Sequence, residues 1–178
     1  MNVEPVLRVL QALGAPHALI GAHAMAARGY PRFTVDIDLL TTDDRVLAAA
    51  TWAELTLAGA SVEPRRGDHD DPLGGVVHIL LADGTDIDLL LARWKWEAQV
   101  IDRSEPMSIG SVRISVPRTS DLILLKLAAG GYGDRQDAAA LLAIGDVDSV
   151  IGEVEAHIGD VRPDVQPLWR ELRAAQGR

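Results

Sequence analysis

The chain has no cysteine, which excludes disulfides and cysteine-based zinc sites and fits a reducing cytoplasm. It holds a single Phe, so Leu, Ala, Val and Ile must build the core from the 48% hydrophobic content. No apolar run reaches membrane-spanning length, and the N-terminus lacks a basic stretch followed by an apolar one. The expectation is a soluble, untargeted, cytoplasmic protein with no membrane partner. Basic charge is scarce: 17 Lys and Arg against 26 Asp and Glu leave a net charge of −9. Such a chain is repelled by nucleic-acid backbones unless its basic residues form a local patch. There is also no P-loop, no Rossmann fingerprint and no Gly-x-Ser-x-Gly.

What is present centres on residues 19 to 40. A short apolar strand ends at Gly21, a small-residue helix runs from about Ala22 to Arg28, and a strand from Phe33 to Leu40 carries Asp36 and Asp38. Side chains alternate along a strand, so both carboxylates share one face, with Val35, Ile37 and Leu39 on the other. Like-facing residues lie roughly 6–7 Å apart, and two such charges repel by roughly 2–2.5 kcal/mol at an effective dielectric near 20. Asp is a poor strand former, so two on one face point to a cation between them. A solvated edge strand accounts for one such pair. It accounts less well for a second Asp-Ile-Asp-Leu-Leu at residues 86 to 90, where Asp86 and Asp88 again share a face. Asp88 is the preferred further ligand, because Asp86 lies close to a turn. Convergence of these acids on one spot would make a two-metal site for phosphoryl transfer.

Elsewhere, apolar periodicity predicts helices over 4–13, 45–58, 93–100, 122–129, 134–144, 147–158 and 163–175. Ser61–Arg65 reads as a strand. Hairpins are predicted for 76–91 around Asp83-Gly84, and for 106–116 around Gly110-Ser111. Mixed strands and helices followed by helices alone predict an α+β fold in one domain: a core over 1–116 and a helical C-terminal part over 117–178 packed on it. Gly21 allows close backbone approach, and the helix after it offers free N–H groups to a phosphate. Lys126 is the one charge in an apolar helix; it reads equally as a snorkelling lysine or as a triphosphate contact. Asp134 and Asp137 open the next helix, where acids favour the dipole; the functional alternative is a general base or an orienting acid. The five histidines show no metal-ligand spacing and read as structural, and Trp94 and Trp96 read as packing residues.

Gly21-Ala22, followed by Arg32-Phe33-Thr34-Val35-Asp36-Ile37-Asp38-Leu39-Leu40, resembles the signature of the DNA polymerase β-like nucleotidyltransferase superfamily. The Arg-x-Thr lead-in, the run Asp121–Gly130 and Asp134-x-x-Asp137 resemble its AbiEii and MenT-like branch, which contains toxins of toxin–antitoxin pairs. The resemblance covers residues 17 to about 145. It implies a nucleotidyltransferase-type mixed β-sheet with helices on one face, and transfer of a nucleoside monophosphate from a nucleoside triphosphate to a tRNA or small-molecule hydroxyl. It further implies Mg²⁺ or Mn²⁺ on Asp36, Asp38 and Asp88, and phosphate contacts at Gly21, Ala22, Arg32, Thr34 and Lys126. Asp137 falls on the late acid, and an antitoxin protein joins the implied partners. Ala22 replaces the usual Ser or Gly, and Gly131 and Gly133 stand where relatives often carry Arg or Lys. These departures favour, as the rival reading, a nucleotide- or partner-binding protein that lacks turnover.

Overall fold

The computed structural model describes residues 2–175 and 177. In chain order it has α1 (Glu4–Leu13), β1 (His17–Leu19), α2 (Gly21–Ala27), β2 (Asp36–Thr41), α3 (Ala53–Leu57), β3 (Ser61–Arg66), β4 (Gly75–Leu80), β5 (Asp86–Leu91), α4 (Lys95–Arg103), β6 (Glu105–Ile109), β7 (Val112–Val116), α5 (Thr119–Ala129), α6 (Tyr132–Leu142), α7 (Val147–His157) and α8 (Val165–Ala175). This is an α+β protein with a five-stranded mixed sheet in the order β1-β2-β5-β4-β3; β6 and β7 form a separate hairpin. Only β2 and β5 run parallel among the described strands. No described helix is long and apolar enough to cross a membrane.

Alternation does the sorting that the sequence implied. Ile37, Leu39, Val77, Ile79, Ile87 and Leu89 are buried in the main core together with Val6 and Leu10 of α1 and Trp52. That same core continues into Leu141, Val154 and Trp169 of the C-terminal helices. On the other face, Ala18, Ile20 and Leu40 form a smaller buried cluster with Ile101 of α4, against which Leu90 and Leu125 pack. The helices therefore cover the aliphatic half of that face and leave the Asp-bearing half only partly covered. Asp121, 1% exposed, receives Arg103 Nη2 at 2.5 Å and so ties α4 to α5.

Three elements differ from expectation. The strand expected from Phe33 begins at Asp36, and Phe33 and Val35 are exposed. Its partners run out there: β5 starts at Asp86, opposite Asp36, and β1 reaches only Leu19, opposite Leu39. The helix expected over 45–58 is broken into 3₁₀ turns at Asp44–Leu47 and Ala49–Trp52, then α3. Side chains take the carbonyls a continuous helix needs: Thr51 Oγ1 donates to the Arg45 carbonyl and Trp52 Nε1 to the Val46 carbonyl, both at 2.7 Å. The helix expected from Arg93 starts at Lys95, because Glu97 Oε2 accepts the N–H groups of Arg93 (2.7 Å) and Trp94 (2.8 Å) and caps the turn.

Candidate functional site

The parallel pair sets the geometry. Its register places Asp36 beside Asp86 and Asp38 beside Asp88, rung by rung on one face. Neighbouring strands are about 4.8 Å apart and like-facing residues along each are roughly 6–7 Å apart, so four carboxylates share one patch of the sheet face. Asp36 is exposed, whereas Asp38, Asp86 and Asp88 are partly buried. Burial, and then the charges of Asp36 and Asp88, push Asp38 up to about 6; Lys126 and Arg32 pull in the opposite direction. Thr34 Oγ1 and the Val35 N–H both donate to Asp36 Oδ1, at 3.3 and 3.2 Å. Thr34 thus orients a carboxylate in this structure.

Gly21 owes its identity to Asp38. Its φ is +64°, and a Cβ built on it would lie 1.9 Å from Asp38 Oδ2. The Ile20 N–H donates to the Asp38 carbonyl at 2.9 Å, which pins the start of α2 against the acidic strand. The Ala22 side chain is buried, so only its backbone can face a ligand.

A second layer lies over Asp38. Lys126 Nζ bridges Asp134 Oδ1 at 2.8 Å and Asp137 Oδ2 at 3.1 Å, and Arg32 Nε approaches Asp137 at 3.4 Å. Asp134 also accepts the Gly131 N–H at 3.1 Å. The acid at the start of α6 therefore both caps the helix and holds the lysine. Asp137 is 7% exposed, clamped between two cations.

Beside this layer is a cavity of about 390 Å³, within the usual range for small-ligand pockets. Gly21, Asp38 and Lys126 line it together with Leu73, Leu90 and Trp94. The buried Trp96 packs into the core, whereas the Trp94 ring is half exposed and carries the Arg93 guanidinium 5.7 Å from its centre. Arg93 also donates to the carbonyls of Asp68, His69 and Asp71, which fixes the loop that supplies Leu73.

One site residue escaped the sequence reading. His78 of β4 lies opposite Asp88, with Nδ1 at 2.9 Å from Asp88 Oδ1 and 3.4 Å from Asp86 Oδ1. The bond to Asp88 is the main reason its imidazole is held above the usual range. The turn signal alone misplaces it: a two-residue Asp83-Gly84 loop would set 79 opposite 88, whereas the structure pairs Leu81 with Thr85 and so brings 78 opposite 88.

A divalent cation suits this donor set. The carboxylates supply oxygen ligands, repulsion from Asp36 and Asp88 helps raise Asp38, and Asp86 Oδ1 is buried with no hydrogen-bond partner.

No protein-family model and no curated protein matches the chain. Solved structures do. The solution structure of the antibiotic-resistance factor ANT(2'')-Ia matches 98% of this chain and 92% of its own, at 16% identity and a TM-score of 0.57. The crystal structure of ANT(2'')-Ia with adenylyl-2''-tobramycin matches 88% of this chain and 95% of its own, at 18% identity and a TM-score of 0.55. The lincosamide antibiotic adenylyltransferase LnuA, lincomycin-bound, matches 80% of this chain and 96% of its own, at 12% identity and a TM-score of 0.52. At these identities the likeness is one of fold, and this chain has the fold of those nucleotidyltransferases.

Proposed function

We propose that the protein is a metal-dependent nucleotidyltransferase that moves a nucleoside monophosphate from a nucleoside triphosphate to the hydroxyl of a small molecule. The observation that carries this reading is the in-register pairing of Asp36 with Asp86 and of Asp38 with Asp88, next to Gly21 and Lys126. Asp36, Asp38 and Asp88 would hold Mg²⁺ or Mn²⁺. Such an ion, when bound, neutralises phosphate charge and activates the attacking oxygen. The chain's own groups do the rest. The backbone after Gly21 and the Lys126 ammonium bind the triphosphate, and Thr34 keeps Asp36 in place. The apolar cavity takes the base, with the open face of Trp94 to stack on it. The acceptor oxygen bonds to the α-phosphorus, the bond from that phosphorus to pyrophosphate breaks, and the hydroxyl proton leaves to solvent at the open end of the acidic cluster. Asp137, shut between Lys126 and Arg32, acts as a positioning residue.

The net charge of −9 favours a small-molecule acceptor over a tRNA end. The fold neighbours support the same choice: one is a lincosamide antibiotic adenylyltransferase by name, and the other is in complex with adenylyl-2''-tobramycin. The AbiEii and MenT-like placement, with its toxin role, tRNA acceptor and antitoxin partner, is the second reading. It rests on the Arg32-Phe33-Thr34 lead-in and on Asp121–Gly130. The test is incubation with each α-labelled nucleoside triphosphate, Mg²⁺, and either a panel of hydroxylated antibiotics or total tRNA. Transfer to the panel is expected, and its loss in Asp38→Asn. Transfer that persists in Asp38→Asn refutes the site, and label on tRNA alone selects the toxin reading. Nucleotide binding without transfer to either pool identifies a binder that kept the fold.

A further inference from the structure

Carboxylates alone make a site for a hard ion. This cluster has a nitrogen as well, and that changes which ion it prefers. We propose that His78, Asp86 and Asp88 form a nitrogen-containing cation site on the β4–β5 side of the cluster, and that it selects a first-row transition ion such as Mn²⁺ or Co²⁺ over Mg²⁺. The proposal deepens the reading above by naming the metal class of the same cluster.

Three observations support it. First, donor atoms from the three side chains all lie within 4.8 Å of one another. For an ion about 2.1 Å from each ligand, two ligands at a right angle are about 3.0 Å apart and two at the tetrahedral angle about 3.4 Å. The imidazole nitrogen is 2.9 Å from one carboxylate oxygen and 3.4 Å from the other.

Second, a plain hydrogen bond does not account for the whole arrangement. His78 Nδ1–H can donate to Asp88, but Asp86 Oδ1 then stays buried with no partner. A buried acceptor atom left unsatisfied is unfavourable, and a cation between the three groups satisfies it.

Third, the ladder builds the trio. β4 lies next to β5 in the sheet and sets His78 opposite Asp88, while Leu80, its neighbour on the same face, lies opposite Asp86. The imidazole is thus the one ligand-bearing side chain β4 contributes there. Imidazole nitrogen raises affinity along the series from Mn²⁺ to Cu²⁺, whereas Mg²⁺ prefers oxygen ligands and gives up water reluctantly.

The test uses metal binding and needs no turnover, so this proposal and the nucleotidyltransferase reading can fail separately. Co²⁺ is titrated into the full-length protein and followed by visible absorption and by histidine-ring NMR. Mn²⁺ binding is followed by electron paramagnetic resonance, and Mg²⁺ binding by calorimetry. The expected result is a Co²⁺ spectrum together with paramagnetic loss of the His78 ring signals in the unmodified protein. His78→Ala should weaken Co²⁺ and Mn²⁺ binding by about tenfold or more and leave Mg²⁺ affinity unchanged. Asp36→Asn should keep the Co²⁺ spectrum. Unperturbed His78 ring signals at saturating Co²⁺ overturn the proposal, whatever the variants do. So does a His78→Ala protein that binds Co²⁺ as tightly as the unmodified one.

Discussion

Gly21→Ala separates two costs that glycine avoids at one position. The first is conformational: φ at Gly21 is +64°, and placing an L side chain there costs about 1–2 kcal/mol. The second is steric: the new Cβ would sit 1.9 Å from Asp38 Oδ2, 2.7 Å from its Cγ and 2.9 Å from its Cβ. Asp38 must rotate away, and an off-rotamer side chain costs about 0.5–1.5 kcal/mol more. The sum is roughly 2–3 kcal/mol, or a fall in melting temperature on the order of 5–10 °C for a chain of this size. Gly14→Ala is the control, because Gly14 has φ +66° and nothing within 4 Å of where the new methyl group would sit. Urea denaturation of both variants isolates the Asp38 part as the difference between them. The folded Gly21→Ala protein should also lose about 10²-fold in transfer rate, the usual consequence of moving a reacting group by about 1 Å. If Gly21→Ala loses no more stability than Gly14→Ala and transfers at the normal rate, then Asp38 does not depend on the missing side chain and the argument fails.

Asp38→Asn should stabilise the metal-free protein at pH 7 by about 1–3 kcal/mol while weakening Mg²⁺ binding. The sign follows from the folded pKa of about 6 against an ordinary 3.8: the native state holds the proton more tightly, so stability falls as pH rises from about 4 to about 6. Urea melts should show the advantage of the variant shrinking toward pH 4, and a variant weaker than the parent at pH 7 contradicts this. By the same linkage, Mg²⁺ affinity should fall as pH drops through 6, measured by calorimetry, because proton and ion compete for Asp38. Arg103→Ala leaves Asp121 charged and 1% exposed, and should cost about 3–5 kcal/mol in chemical denaturation. Lys126→Met should weaken triphosphate binding by about 10–100-fold in a calorimetric titration, the worth of a hydrogen bond to a charged group. Unchanged affinity would return Lys126 to a structural partner of Asp134 and Asp137.

The sequence displayed what depends on period and local chemistry. The two Asp-Ile-Asp-Leu-Leu segments announced like-facing carboxylates, and Asp83-Gly84 announced the β4–β5 hairpin. It did not show that β2 and β5 are neighbours, because parallel pairing is set by contacts fifty residues apart and by no turn signal. The early end of β2 was hidden for the same reason: Phe33 and Val35 have good strand propensity but no strand beside them. The broken helix over 44–57 reflects hydroxyl and indole donors that compete for carbonyls, which apolar periodicity does not register. His78 is the instructive omission. Taken alone, its spacing from any other ligand carries no message, and a two-residue turn at Asp83-Gly84 would aim it at the wrong face; the loop is one residue longer, and that shift sets it opposite Asp88.

The one parallel seam of the sheet joins a pentapeptide to its own copy, so each rung sets a residue against its like. At the aliphatic rungs this is cohesion; at the two acidic rungs it is opposition, at the end where both inner strands begin. An ion lodged there acts as a rivet as well as a reagent. It draws together the strands that carry it, so loading the protein should slow amide exchange along β2 and β5 ahead of the outer strand β3.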